Sequence, residues 1–228
     1  MLREFGSSGP KFERVSSANA AITQPDALAA LERIGTRRSF DRDDEIYAEG
    51  DTSDSWCRVV SGFVRLCKLL PDGRRHIAEF CFAGDCFGLG GGEERSFSAE
   101  AINEVILMRF PLRATERLID ETPQLARQLC EMTLRDLAHA QSRMLLLGRM
   151  TAPERVASFL LEMAERRDAQ HTLDLPMQRT DIADYLGLTI ETVCRTLTAF
   201  KRAGAIVIPN AHRIEFCDRH ALAAACQA

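Results

Sequence analysis

Five residues near the end of the chain have types and spacing suited to reading DNA. They are Ile190, Glu191, Cys194, Arg195 and Thr198, which recur at the three- and four-residue steps that gather side chains on one face of a helix. An arginine can grip guanine O6 and N7 with two hydrogen bonds, and a carboxylate can accept from cytosine N4. Small apolar groups meet thymine methyls. Glu191 and Arg195 are four apart, so an i,i+4 ion pair is expected to hold the guanidinium in place. Arg179, Thr189 and Thr192 fall at helix starts, where phosphates are usually held, and Lys201 and Arg202 add positive charge at the far end. The bland alternative is an ordinary helix pair with a solvated Glu–Arg bridge worth a few tenths of a kcal/mol.

Cys194 has a second chemistry. It lies in the first turns of a helix beside Arg195, a setting suited to thiolate reactivity. Oxidation to sulfenic, sulfinic or sulfonic acid would add bulk and then negative charge to the reading face. Cys194 is therefore a candidate redox switch, and equally a small residue that fits a thymine methyl.

The elements that must position these groups are local. TDIADYLG followed by LTIETVCRTLTAFKRAG, within residues 179–203, reads as helix, tight turn, helix. Thr180 is expected to cap the first helix, Gly187 to supply the turn, and Thr189 to cap the second. Ile182, Ala183 and Leu186 form an inner face, as do Val193, Leu197 and Phe200. Upstream, APERVASFLLEMAER predicts an amphipathic helix and DLPMQ a short strand. Downstream, AIVI and RIEFC predict a hairpin turning at Pro209–Asn210.

Residues 1–25 read as a mobile tail, and residues 26–35 as a short helix with Asp26 at its N-cap. From Thr36 to about Pro111 short alternating runs, broken by turns such as Pro71-Asp72-Gly73, predict a small antiparallel barrel or roll. From Pro123 to about 147 a long helix carries two apolar stripes: Leu125, Leu129 and Met132 on one, and Cys130, Leu134, Leu137 and Met144 on the other. One sheet hardly covers both, so one stripe is expected to meet a second copy of the chain. The dimer interface is assigned to Leu125, Leu129, Met132, Leu137 and Met144. The alternative is a helix buried between two domains.

Composition adds exclusions. The 228 residues, 46% hydrophobic and 27% charged, describe an ordinary globular chain. No apolar run approaches the roughly 18 residues of a membrane span, and the N-terminus lacks a secretory h-region, so a cytoplasmic address is expected. The formal charge is −4, and residues 149–228 hold ten Lys and Arg against ten Asp and Glu, so the whole excess lies in the first 148. Global charge thus argues neither way for nucleic acid, and local placement decides. No Ser-His-Asp set, Walker loop or metal-ligand His pair is evident, so no catalytic residues are assigned and an enzyme is not expected.

Within GLTIETVCRTL, the run Glu191-Thr192-Val193-Cys194-Arg195 resembles the recognition helix of the CRP/FNR superfamily, nearest the FNR and FixK branch. EGDTSDSWCRVVSGFVRLCKLLPDGRRHIAEFCFAGDCFGL resembles that family's cyclic-nucleotide-binding-like barrel, and LLLGRMTAPERVASFLLEMAERR the end of its dimer helix and the helix that follows. The resemblance implies an α+β chain: a flexible tail (1–25), a β-roll sensor and activation domain (26–113), a dimerisation helix (114–148) and a winged helix-turn-helix domain (149–228). It also implies a homodimer on a palindromic TTGAT-type site, with Glu191 and Arg195 on the G·C pair and Ile190 and Cys194 near thymine methyls. RNA polymerase is the implied partner of an activator of this kind.

The same resemblance frames the control options. Arg95-Ser96 matches the family's phosphate-binding pair, but Gly88-Leu89-Gly90 stands where its ribose glutamate would be. Control by a cyclic nucleotide is therefore not expected. An FNR-type iron–sulfur cluster needs three N-terminal cysteines, and none of the eight cysteines lies in the first 56 residues. No cofactor and no metal site is assigned, and control is expected to shift from the barrel to the reading head.

Overall fold

The computed structural model describes residues 25–89 and 92–226. The tail expected over residues 1–25 lies outside them apart from Pro25, as does Gly90.

Helix α1 (Pro25–Ile34) leads into eight strands. Because α1 already includes Pro25, Asp26 sits inside its first turn and does not cap it. One antiparallel sheet joins β1 (Thr36–Phe40), β8 (Val105–Pro111), β3 (Ser55–Ser61) and β6 (Cys86–Phe87), in that order. The other joins β2 (Glu45–Tyr47), β7 (Ser98–Ala101), β4 (Val64–Leu69) and β5 (Arg75–Cys81). Val59, Val64, Phe87, Ala99, Val105 and Leu107 are among the apolar side chains packed together in the roll. The β4–β5 hairpin turns at Pro71-Asp72-Gly73, where Gly73 takes φ +82° and its N–H donates to the Leu70 carbonyl at 2.9 Å.

The alternating side chains of β3 and β8 have a second use. Trp56 and Phe110 face each other across the ladder, stack at 4.3 Å, and bury themselves against Leu31, Leu118, Leu125 and Leu129. The Trp56 indole N–H donates to Thr115 at 3.0 Å, which satisfies its one donor in an otherwise apolar site.

Helix α2 (Leu112–Glu121) and helix α3 (Pro123–Arg149) follow, and α3 begins at its proline as the sequence predicts. Its 27 residues span about 40 Å. Here the interface assignment needs correction. Leu125, Leu129 and Met132 are only 0%, 7% and 3% exposed, because they pack on Trp56, Phe110 and Leu118 of their own chain. They cannot also be a dimer surface. Leu134, Leu137, Met144 and Leu145 instead stand 53–73% exposed.

The last domain is α4 (Ala152–Arg166), β9 (Thr172–Asp174), α5 (Arg179–Leu186), α6 (Ile190–Arg202), a hairpin of β10 (Ile206–Asn210) and β11 (Arg213–Phe216), and α7 (Arg219–Ala225). Thr151 and Glu154 form a capping box at the start of α4. Three local expectations shift. The strand expected at DLPMQ is drawn upstream to β9, because Thr172–Asp174 pairs with β11. The hairpin turns after Asn210, which itself pairs with Arg213, so Pro209 lies in the strand. Helix α7 was not anticipated, although Asp218 caps it and Leu222 anchors it in the core.

The two domains share a core. Ile77, Phe80 and Phe82 of the roll pack with Phe159, Met163 and Tyr185 of the helical domain, and the Phe80 and Tyr185 rings lie 5.0 Å apart.

Candidate DNA-reading face

Helix α5 is capped by Gln178, whose N–H donates to Asp181 at 3.0 Å, so Thr180 is an internal residue and not the cap. Ile182, Ala183 and Leu186 are buried. Gly187 ends the helix at φ +62°, in the left-handed region that glycine tolerates, and the Leu188 N–H returns to the Ala183 carbonyl at 3.0 Å. Thr189 then caps α6, its hydroxyl accepting from the Thr192 N–H at 3.3 Å. Val193 and Leu197 are buried and Phe200 half-buried, which fixes the rotation of α6.

That rotation leaves Ile190, Glu191, Cys194, Arg195 and Thr198 exposed on one face. Cys194, Arg195, Thr198, Ala199 and Arg202 line a shallow depression of about 520 Å³ there. The expected ion pair is absent: among the described residues no salt bridge joins Glu191 to Arg195. Arg195 donates to the Thr192 hydroxyl at 3.5 Å instead. Glu191 turns back toward the start of its helix, where its own amide and then the Thr189 hydroxyl hold its carboxyl below the usual range. It is ionised and free to accept a hydrogen bond.

Arg179 is half-buried, and one of its guanidinium nitrogens is enclosed with no hydrogen-bond partner. Burial pushes its pKa down, with Cys194 close enough to oppose that electrostatically. Thr189 and Thr192 bond to each other at 3.1 Å, and Lys201 is exposed at the far end of α6.

The thiols divide by setting. Burial pushes Cys57 and Cys67 up to about 11, Cys86 to about 12, and Cys81 upward too. These four behave as small apolar side chains at neutral pH. Cys130, Cys194 and Cys217 are exposed. Among the described residues, no group of three or more His, Cys, Asp or Glu side chains is placed to hold a metal ion.

Arg95 is turned inward. The residue is 7% exposed, and its guanidinium donates to the Gly88 carbonyl at 3.0 Å, to the Ser55 carbonyl and to the Ser55 hydroxyl. It also lies 4.4 Å over the Tyr47 ring. Gly88 takes φ +80°, a conformation that side chains with a Cβ rarely adopt, and a Cβ there would come within 2.6 Å of this guanidinium.

Sequence reasoning missed the ion pairs that seat the reading domain on the roll. Arg75 reaches Asp181 at 2.5 Å and Asp184 at 2.8 Å, and Arg65 reaches Asp181 at 3.5 Å. Arg166 of α4 joins Glu79 and Asp85, each at 2.8 Å. Over separations of 81 to 116 residues, no local pattern announces such pairs.

Comparison with known proteins agrees with this geometry. Residues 154–225 match the Crp-like helix-turn-helix domain, and residues 37–122 match the cyclic nucleotide-binding domain. The nitrogen fixation regulation protein FixK of Bradyrhizobium diazoefficiens is 45% identical over 79% of this chain and 78% of its own length. That of Azorhizobium caulinodans is 45% identical over 90% and 84% respectively. The solved structure of FixK2 from Bradyrhizobium japonicum superposes with a TM-score of 0.82 at 42% identity, covering 86% of this chain and 98% of that one.

Proposed function

We propose, from the premise that this chain belongs to the CRP/FNR superfamily of transcription regulators in its FixK-like branch, that it is a homodimeric activator reading a palindromic TTGAT-type site. The chain is a DNA-binding regulator and not an enzyme. The observation that carries the finer reading is the exposed row Ile190, Glu191, Cys194 and Arg195 on the outer face of α6. Glu191 and Arg195 read the G·C pair, and Ile190 and Cys194 meet thymine methyls. Arg179, Thr189, Thr192 and Lys201 hold phosphates. A gel shift with TTGAT-bearing duplex tests this: failure to bind by an intact, folded dimer overturns it.

The division of labour follows: residues 26–113 as the sensor and activation domain that touches RNA polymerase, 114–148 as the dimerisation helix, 149–228 as the reading domain. The protein acts in the cytoplasm, in oxygen-limited or redox-linked gene control. The dimer reading is supported by the exposed stripe of Leu134, Leu137, Met144 and Leu145, since large apolar side chains aligned on one helix ask for a partner. Two half-sites about one helical turn apart then match the two-fold axis. Leu137→Glu combined with Met144→Glu is expected to sediment as a monomer and to lose roughly a hundredfold in affinity for the paired site. Dimers of undiminished stability would refute the interface.

Control falls on Cys194, which is exposed on the reading face and within electrostatic reach of Arg179. Oxidation there places bulk and charge against the DNA. Peroxide is expected to abolish binding by the parent protein and to spare Cys194→Ser. Equal loss in both proteins would rule the switch out.

A further inference from the structure

The last turn of α3 and the turn of the helix-turn-helix meet at one side chain. Arg155, in the first turns of α4, donates from Nε to the Met150 carbonyl at 2.9 Å and from Nη2 to the Leu147 carbonyl at 2.8 Å. From Nη1 it donates to the Leu186 carbonyl at 3.0 Å. Leu147 and Met150 close α3, and Leu186 is the last residue of α5, directly before Gly187.

The final carbonyls of a helix have no partner within it, and they carry the negative end of its dipole. Two such ends converge on this guanidinium, whose planar fork of five donors reaches three acceptors at once. Gly187 packs beside the same side chain, with room for ordinary van der Waals contact. A Cβ on residue 187 would lie 3.6 Å from Arg155 Nη1 and 3.8 Å from the Leu147 side chain. Hydrogen bonds thus link the end of α3 to the residue before the single turn that precedes α6.

We propose that Arg155 is a positioning residue for DNA recognition: it locks the reading helix to the end of α3 and so sets the half-site spacing that the dimer accepts. This rests on the homodimer reading above. Arg155 touches neither the reading face nor the exposed stripe of α3, so its loss leaves both chemistries in place and alters only the angle between them. A lysine at 155 would keep the charge, but its single ammonium cannot serve three carbonyls at two helix ends with the same geometry.

The test uses the full-length protein, duplexes carrying one TTGAT half-site, and duplexes carrying two with the spacing varied in single base pairs. The parent is expected to favour one spacing sharply. Arg155→Ala should hold the isolated half-site within about twofold of the parent while losing about tenfold at the preferred spacing, so that the spacing profile flattens. Arg155→Lys should fall between the two, and it serves as the probe if the alanine variant does not fold. An unchanged spacing profile overturns the proposal, as does an equal loss on single and paired sites, which would mark a merely structural residue. A parent that shows no preference for paired over single sites would instead sink the homodimer reading, and the proposal with it.

Discussion

Arg195→Ala is expected to lose about 1–3 kcal/mol per half-site on duplex that carries the guanine of TTGAT, a factor of roughly 5 to 150. On duplex in which that G·C pair is replaced, parent and variant should bind alike. The variant therefore loses discrimination at one position more than it loses grip on DNA. The geometry sharpens this expectation. Among the described residues Arg195 has no ion pair to Glu191 and one hydrogen bond, a 3.5 Å contact to Thr192, and it is solvent-exposed. Such a contact is at the outer limit of a hydrogen bond, so little is given up when the guanidinium turns to a base edge.

Glu191 differs in setting: its own amide and then the Thr189 hydroxyl hold its carboxyl below the usual range. Lys201→Ala supplies the contrast: a loss shared by all sequences, with the salt dependence reduced by about one unit of slope. Competition gel shifts against the two duplexes separate the outcomes. If Arg195→Ala weakens both duplexes equally, Arg195 is a phosphate contact.

These residues were legible because everything that places them is local. Thr189, Gly187 and the stripe Val193–Leu197–Phe200 fall within 14 residues, so capping, turn geometry and helical period fix the exposed face together. The roll was legible from alternation, and the Pro71-Asp72-Gly73 turn from its residue types. The direction of α3 was not. Its two stripes are equally apolar, and partners on other elements, Leu31, Trp56, Phe110 and Leu118, decide that Leu125, Leu129 and Met132 turn inward. The i,i+4 pair of Glu191 and Arg195 failed for a related reason. Two nearer acceptors and donors, at Thr189 and Thr192, compete for the same groups. The seating of the domains left no trace at all, because Arg75 and Asp184 are 109 residues apart and charges on a surface carry no period.

That seating carries the largest expected effect on stability. Arg166 is 10% exposed and joins Glu79 and Asp85, each at 2.8 Å, with Glu162 at 3.8 Å and the Phe80 carbonyl accepting at 3.0 Å. Burial works against its charge, but Glu79, Asp85 and Glu162 outweigh that and raise its pKa. Arg143 of α3 also approaches Glu79, at 3.6 Å, so three parts of the chain meet over this one acidic group. Arg166→Met keeps an unbranched apolar stem of similar length but removes the guanidinium that lies over Phe82, and its charge, leaving the carboxylates partly enclosed and underpaired. Breaking a buried pair in this way costs about 3–5 kcal/mol.

The loss should depend on pH, and its sign is fixed by the carboxylates. Burial first, and then the charge of Glu79, push Glu162 up to about 7; burial likewise raises Asp136 to about 6 and lifts Asp85. A carboxyl whose folded pKa exceeds its unfolded value binds its proton more tightly in the folded state. Its contribution is present below the unfolded value and is lost as pH rises through the folded one. Arg166 lowers all three, so its removal raises them further and widens the window over which ionisation opposes folding. Urea midpoints are therefore expected to show Arg166→Met losing about 3–5 kcal/mol at pH 8 but only about 1–2 kcal/mol at pH 5, where Glu162 and Asp136 are protonated. A deficit of equal size at both pH values would mean that Arg166 acts through packing, and that the joint between roll and reading domain is held by its shared apolar core alone.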